Sequence, residues 1–375
     1  MSNQNTKVET PKKKKSHNTV GLISSLFAIV VGLLVGFIIL LVSCPNEAVA
    51  GFVTILTGAL THGTKGIGDV LYHATPIIFT GLSVAFAFKT GLFNIGASGQ
   101  VIVGAFASVA IGIMCESLGN VHWLVALLAS AVAGAIWAII PGLFKAVFNV
   151  SEVISCIMMN YIGMYLVNYL VKNIPAIFDN MRNQSNPVAP SANLPKAGLD
   201  KLLAGSSANI GFIIAVLAVV IIYIILTKTT FGYELKAVGL NRDASKYAGI
   251  NETKSIILSM MIAGALSGLA GGMIYLSGTG KYIEVVDVLC DEGYTGISVA
   301  LLGLSNPIGV LFAGLFIAYI ETGGFYLQLF SFSTEIIDII IAVIIYFSAF
   351  SLFVKNVIFK IKSKKQLKEK GGNKQ

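Results

Sequence analysis

The sequence predicts an all-α polytopic membrane protein with about ten transmembrane helices. Three observations lead there. Hydrophobic residues make up 55% of the 375 and charged residues only 12%, whereas a soluble domain carries about a quarter of its residues charged. Mean hydropathy is +0.81. The apolar residues also run continuously over span-length stretches instead of alternating, which fits helices and argues against a β-barrel. So apolar a chain is not a disordered one.

The spans follow in order, each ended by charge or by Gly, Pro or Asn. The first, 20–43, stands between the basic run Lys12 to Lys15 and Cys44-Pro45. Its end, Leu41-Val42-Ser43-Cys44, resembles a lipoprotein cleavage box, and Ala48-Val49-Ala50 resembles a signal-peptidase site. The apolar run before them exceeds the roughly 7–15 residues of a signal core, so an uncleaved anchor is expected. Next come 69–88, closed by Lys89; 94–114, opened by Asn94; 122–148, opened by His122; and 152–171, set between Glu152 and Lys172. A long connection, 172–208, leads to 209–227, closed by Lys228, and 255–277 follows Lys254. The stretch 293–304 is too short to cross a ~30 Å hydrocarbon core, and Ser305-Asn306-Pro307 separates it from 307–327. It reads as a half-helix or re-entrant segment. The last span, 335–354, ends at Lys355.

Charge orients these spans. With a cytoplasmic amino terminus, the outer loops hold six basic residues, Lys65, Lys172, Arg182, Lys196, Lys201 and Lys281, and the other 20 of 26 Lys and Arg lie inside. That is the positive-inside pattern, and ten spans return the carboxyl terminus to the cytoplasm. The expected organisation is a basic cytoplasmic tail over 1–19, a transmembrane domain over 20–354 and a second basic cytoplasmic tail over 355–375. The outer loop is then 172–208. The net charge of +8 is thus concentrated beside lipid, with no aromatic-interleaved basic patch for nucleic acid. Cys44, Cys115, Cys156 and Cys290 have no C-x-x-C spacing and read as small packing residues.

Several stretches break the apolar monotony. Gly91 to Gln100 opens the third span, and its Asn94, Ser98 and Gln100 need polar partners inside the membrane. Helical spacing puts Asn94 and Ser98 on one face and Gln100 on another. These side chains either glue helices at a tight crossing or line a translocation path. A carboxamide both donates and accepts, which suits a neutral polar solute better than a bare ion. In the fifth span Asn160 is deep and has the same two readings, while Glu152 stands at the edge, where solvent can take it. Gly264, Gly268 and Gly272 form a small-residue ridge that reads as helix packing.

The connection 228–254 is chemically different. Asn241 is placed to cap a short helix over Arg242 to Ala248, with Asp243 and Lys246 matched to its dipole and Gly249 placed to end it. Held between two spans, with small residues at Ala237, Gly239, Ala244 and Ala248, it would present a knob to a cytoplasmic partner; an ordinary ordered loop is the alternative. No phosphate-binding loop occurs, since the nearest string, Gly58 to Lys65, has Thr64 where lysine belongs. His17, His62, His73 and His122 have no metal-ligand spacing. Glu335 and Asp338 stand near the outer end of the last span, too few charges for an evident proton relay.

Three ordered motifs carry a family resemblance. Phe93-Asn94-Ile95-Gly96-Ala97-Ser98-Gly99-Gln100 is similar to the F-N-I-G-x-E/S-G-Q signature of membrane permeases from bacterial ABC importers of the ribose and branched-chain amino-acid group. Residues 231–250 resemble that group's coupling segment, with Gly232, Ala237, Gly239, Asn241, Ala248 and Gly249-Ile250 in place. Gly296 to Gly303, followed by Asn306-Pro307-Ile308-Gly309, resembles its late motif. Ser151-Glu152-Val153-Ile154 with Met158-Met159-Asn160-Tyr161 is similar to the nucleoside-type permeases fed by a Bmp-like lipoprotein, although Ser151 replaces the usual Asn.

The resemblance implies a type II ABC importer permease fold and a subunit that carries nucleosides inward, paired with a second permease. It implies a separate cytoplasmic ATPase that holds the ATP and Mg, with no cofactor on this chain, and an extracellular substrate-binding lipoprotein. Arg242 to Ala248 would dock in a cleft of the ATPase. The expected site residues are Asn94, Ser98, Gln100 and Asn160 for the pathway, and Gly232, Ala237, Gly239, Asn241, Arg242, Ala248 and Gly249 for coupling. A permease for a simple sugar or a branched-chain amino acid, and an ion-coupled secondary carrier, are the rival readings.

Overall fold

A computed structural model describes residues 14–203, 205–332 and 334–349 of the chain. Each of the ten expected spans contains a helix. Helix α1 is Lys14–Ser43, α2 Ala48–Thr61, α3 Gly63–Lys89, α4 Ala97–Met114, α5 His122–Phe148 and α6 Glu152–Asn173. A loop with a small antiparallel hairpin, β1 Phe178–Asp179 and β2 Gln184–Ser185, and a one-turn helix, α7 Leu199–Leu202, leads to α8, Gly211–Lys228. Helices α9, Thr230–Leu240, and α10, Arg242–Tyr247, form the knob before α11, Glu252–Tyr275. The chain finishes with α12, Asp291–Leu302, α13, Pro307–Phe325, and α14, Thr334–Ala349. Helices α3, α4, α5, α6, α8, α11 and α13 are long and apolar enough to cross a bilayer. The first 13 residues of the expected amino-terminal tail and all of the carboxyl-terminal one lie outside the described residues.

Three differences from the sequence expectation, and one of its open alternatives, are settled by local structure. The run 48–61, not counted as a span, is a helix of 14 residues. At about 21 Å it is too short to cross, and it packs over the end of α13, with Gly58 against Gly323 and Tyr326. The third span begins at Ala97, because residues 92–94 are non-helical and Ile95 and Gly96 form a turn. The short stretch 293–304 is a half-helix, α12, of 12 residues. It stops where Leu304 and Ser305 take positive φ, after which the Asn306 side chain caps α13 with Pro307 in the first turn. The coupling connection contains a second helix, α9, which the single Asn241 cap does not announce.

The bundle is built around α11. Lipid offers no hydrophobic drive to bring helices together, so close backbone packing has to do it. The glycine ridge supplies that approach. A Cβ added at Gly268 would lie 2.2 Å from the Ser130 carbonyl oxygen of α5, and one at Gly104 of α4 would lie 2.5 Å from the Gly268 Cα. Gly264 faces Gly134 and Ala138 in the same way. The ridge is therefore the crossing of α11 with α5 and α4, as its spacing predicts.

Candidate functional site

Helix α3 ends at Lys89, and the chain doubles back beside it before α4 begins. In the doubled-back segment the Asn94 amide donates to Ser83 Oγ and to Gln100 Oε1, both at 2.9 Å, while Gln100 Nε2 donates to Asn94 Oδ1 at 2.9 Å. Ser267 of α11 donates to Ser83 at 2.8 Å. Asn160 of α6 accepts from the Gly99 N–H at 2.8 Å and donates to the Ile95 carbonyl at 3.0 Å. Ser98 Oγ donates to the Cys290 carbonyl at the entrance to α12, 2.8 Å away. A helix start leaves four N–H groups without intrahelical partners, and irregular backbone at membrane depth has to be buried in protein and satisfied there. Asn160 does this for the break before α4.

Asn94, Ser98, Gln100 and Asn160 are at most 1% exposed. The expectation that Asn94 and Ser98 share a helical face fails, since helical periodicity starts only at Ala97. Asn94 instead meets Gln100, the residue assigned to another face. Glu152, read as solvated, is paired with Lys145 across the α5–α6 turn at 2.9 Å.

Beyond this junction, towards the end that carries the 174–210 loop, lies a cavity of about 500 Å³. Val101 and Ala105 of α4, Val167 and Asn168 of α6 and the segment 280–292 enclose it. Cys290, which receives the Ser98 hydrogen bond, belongs to its wall, so the junction forms the cavity floor. The wall segment is largely extended and is held by side chains. Asn168 Nδ2 donates to the Val286 carbonyl and to Asp287 Oδ1, both at 3.0 Å, and Asn183 Nδ2 donates to the Val285 carbonyl at 3.1 Å. The Ser185 N–H donates to the Ile283 carbonyl at 2.8 Å, which ties the hairpin to the wall.

Helix α12 starts on this wall with Asp291 and Glu292, acidic residues that suit a helix N-terminus. Glu292 accepts from Cys290 Sγ at 2.9 Å. The carboxylate of Asp291 is exposed and has no hydrogen-bond donor among the described residues. Next to it Tyr294 stands beside Asn160 and Tyr161, and Tyr161, Tyr165 and Tyr169 follow at four-residue steps along an exposed stripe of α6.

Sequence reasoning missed Asn168, Asp291 and this stripe. The available signal was Asn168 two turns beyond Asn160 among the tyrosines. It also missed a cluster at a smaller void, where His73 of α3, Lys281, Glu292 and Glu321 of α13 converge. Their distances in sequence leave no local pattern. Among the described residues no group of His, Cys, Asp and Glu is arranged to hold a metal ion.

At the opposite end, the knob is tightly specified. Thr229 Oγ1 accepts from the Gly232 N–H at 3.0 Å, and a Cβ on Gly232 would lie 2.0 Å from the Ile225 carbonyl oxygen, where α8 turns into α9. Asn241 caps α10 through the Ala244 N–H at 2.9 Å, its own N–H donates to the Ala237 carbonyl, and Gly249 with φ +82° follows Ala248 at the helix end. Arg242, expected at the docking surface, turns inward. It pairs with Glu252 at 2.6 Å and donates to the Ala146 carbonyl and to Asn149. Among the knob's large hydrophobic side chains Leu240, 88% exposed, and Tyr247, 94% exposed, stand furthest out. Gly239 lies on the start of the broken segment, since a Cβ there would be 2.6 Å from the Thr90 carbonyl carbon. Thr90 is in turn hydrogen-bonded to Ser259 of α11.

Known membrane permeases resemble the chain over most of its length. No solved structure matches the chain. The guanosine ABC transporter permease protein NupP of Bacillus subtilis (strain 168) is 40% identical over 94% of this chain and 99% of its own length. The nucleoside ABC transporter permease protein NupB of Lactococcus lactis subsp. cremoris (strain MG1363) is 37% identical over 95% and 99%. A second guanosine permease protein of Bacillus subtilis, NupQ, is 28% identical over 67% of this chain and 79% of its own. Residues 66–349, which include the broken helix, the cavity and the knob, match the permease component of branched-chain amino acid transport systems, and the chain belongs to that family of multi-pass membrane permeases.

Proposed function

We propose that this chain is one membrane-spanning subunit of an ATP-driven importer whose cargo is a nucleoside. The observation that carries the proposal is continuous packing from the knob to the cavity. Helix α9 rests on Thr90 and Gly91, the chain from there leads to the Asn94–Gln100 junction, and the junction floors the cavity. A push on the knob therefore moves the cavity floor. Asn94, Ser98, Gln100 and Asn160 act in the pathway as its gate: closed, their polar groups satisfy one another; opened, the same donors and acceptors turn to the solute.

The cargo assignment is supported by the names of NupP and NupB and by likeness along almost their whole length. That NupP and NupQ both resemble this chain supports a second, non-identical permease as its partner. Lys89, Lys145, Lys228, Lys236, Arg242, Lys246 and Lys254 gather at the knob end, which supports a cytoplasmic location for that end and for both termini. A separate ATPase, which holds ATP and Mg, grips Leu240 and Tyr247 there. Gly232, Ala237, Gly239, Asn241, Arg242, Ala248 and Gly249 shape the knob and transmit its motion. A substrate-binding lipoprotein delivers cargo at the other end.

Uptake of labelled guanosine, supplied with the substrate-binding lipoprotein, into proteoliposomes containing both permeases and the ATPase tests this. Uptake is expected with ATP on the ATPase side and no ion gradient, and competition is expected from other nucleosides but not from ribose or leucine. Dependence on an ion gradient, or competition by ribose or leucine, would return one of the rival carriers.

A further inference from the structure

We infer that the cavity above the junction is a resting site for a ribonucleoside, in which Asp291 reads the ribose diol; the inference rests on the nucleoside reading of the cargo. Cavities of about 300–1,000 Å³ hold drug-sized ligands, and at about 500 Å³ this one accommodates a nucleoside. Ile102, Val286, Val288 and Leu289 give its lining accessible apolar surface, with Tyr275 and Tyr282 also facing the space, and a planar base finds contact surface there.

On the same lining the exposed Asp291 presents a carboxylate with no donor among the described residues. A carboxylate only accepts, through two oxygens, and the vicinal 2′- and 3′-hydroxyls of ribose are two adjacent donors of matching geometry. The position also argues against a phosphorylated cargo. Three carboxylates, Glu284, Asp291 and Glu292, border the cavity against the one ammonium of Lys281, so a nucleotide's phosphate would be repelled. Tyr294, a neighbour of Asp291, Tyr161 and Asn160, continues an aromatic and hydroxyl-bearing surface from the cavity edge to the level of Asn160. A released nucleoside thus meets stacking surface and hydrogen-bond partners together.

The test compares guanosine with 2′-deoxyguanosine, each supplied with the complete transporter and its binding protein. The discrimination exercised by the binding protein is common to wild type and variant, so a change in the uptake ratio reports the permease. Loss of a hydrogen-bond pair to a charged acceptor is worth roughly tenfold. Asp291→Asn is therefore expected to lower the guanosine to 2′-deoxyguanosine uptake ratio roughly tenfold, with the variant present in membranes at wild-type amount. An unchanged ratio overturns the inference and leaves nucleoside import standing. Equal loss of both cargoes also overturns it, because it makes Asp291 a residue of folding or of the transport cycle. A wild-type complex that takes up neither nucleoside sinks the cargo proposal itself. As a second variant, Ile102→Phe, at a partly exposed lining position of α4, narrows the cavity and is expected to slow both cargoes without altering the ratio; wild-type uptake by a well-expressed Ile102→Phe protein would show that nothing passes through this space.

Discussion

Gly239→Ala introduces one carbon atom where the tip of α9 meets the chain leaving α3. That carbon would stand 2.6 Å from the Thr90 carbonyl carbon, 2.7 Å from the Gly91 nitrogen and 2.9 Å from the Thr90 carbonyl oxygen. Ordinary carbon contacts are about 3.5–4.0 Å, so the two segments have to separate by about 1 Å. Every atom opposite is backbone, so no side chain can rotate away. Overpacking of this kind costs about 1–3 kcal/mol, which an assembled bundle tolerates, but the separation falls on the link between knob and junction. The expected result is normal insertion, retained ATP hydrolysis by the assembled complex, and guanosine uptake per ATP reduced severalfold or more in proteoliposomes. Gly239→Pro is expected to abolish uptake while insertion persists, because the ring distorts the end of α9. As a control, Gly119→Ala, in the segment before α5, meets no atom within 4 Å and bears only the strain of φ +55°, so it should cost stability without the same loss of coupling. Wild-type coupling in a stably expressed Gly239→Ala protein would refute the mechanical route drawn from the knob to the cavity.

Asn160→Leu leaves the Gly99 N–H and the Ile95 carbonyl unpaired inside the bundle, and thermal unfolding in detergent should show about 1–3 kcal/mol lost per stranded group. Gly268→Val drives side-chain atoms into the Ser130 carbonyl oxygen of α5; loss of monodisperse protein in size-exclusion chromatography is expected, since backbone approach is what joins these helices. Arg242→Lys keeps the charge but not the planar fork that reaches Glu252, Asn149 and the Ala146 carbonyl together; protease cleavage near the knob should accelerate and uptake should fall. Leu240→Ala combined with Tyr247→Ala removes only exposed surface, so the fold should survive while co-purification of the ATPase is lost.

Much of the fold was legible because lipid imposes it on the sequence. Span lengths follow hydrocarbon thickness and are read directly, and the α10 cap at Asn241 and stop at Gly249 were readable because both are local hydrogen-bonding devices. The ridge at Gly264, Gly268 and Gly272 was readable for a similar reason, as small residues at helical spacing have few uses besides close packing. The site was read less completely. Asn94 and Gln100 were singled out for their polarity, but their pairing depends on a break in the helix between them, and no periodicity reveals a break that a side chain on another helix, Asn160, sustains. Arg242 is expected outward because it belongs to the segment that resembles the coupling helix. Its partners, Glu252, Ala146 and Asn149, lie 10 to 96 positions away, and they decide its direction.

What the sequence by itself determined is the solvent of this chain, the helical character of its spans and the location of its knob, each set by composition or by neighbouring residues. Only the tertiary structure decided which polar groups meet. Inside a membrane every donor and acceptor has to find a partner, and the partners that close the junction come from α3, α4, α6 and α11 and from the entrance to α12. The cavity above that junction exists for the same reason. Two helices begin within the bundle there, α4 and α12, and the space between their starts is enclosed by segments that meet only when the chain is folded.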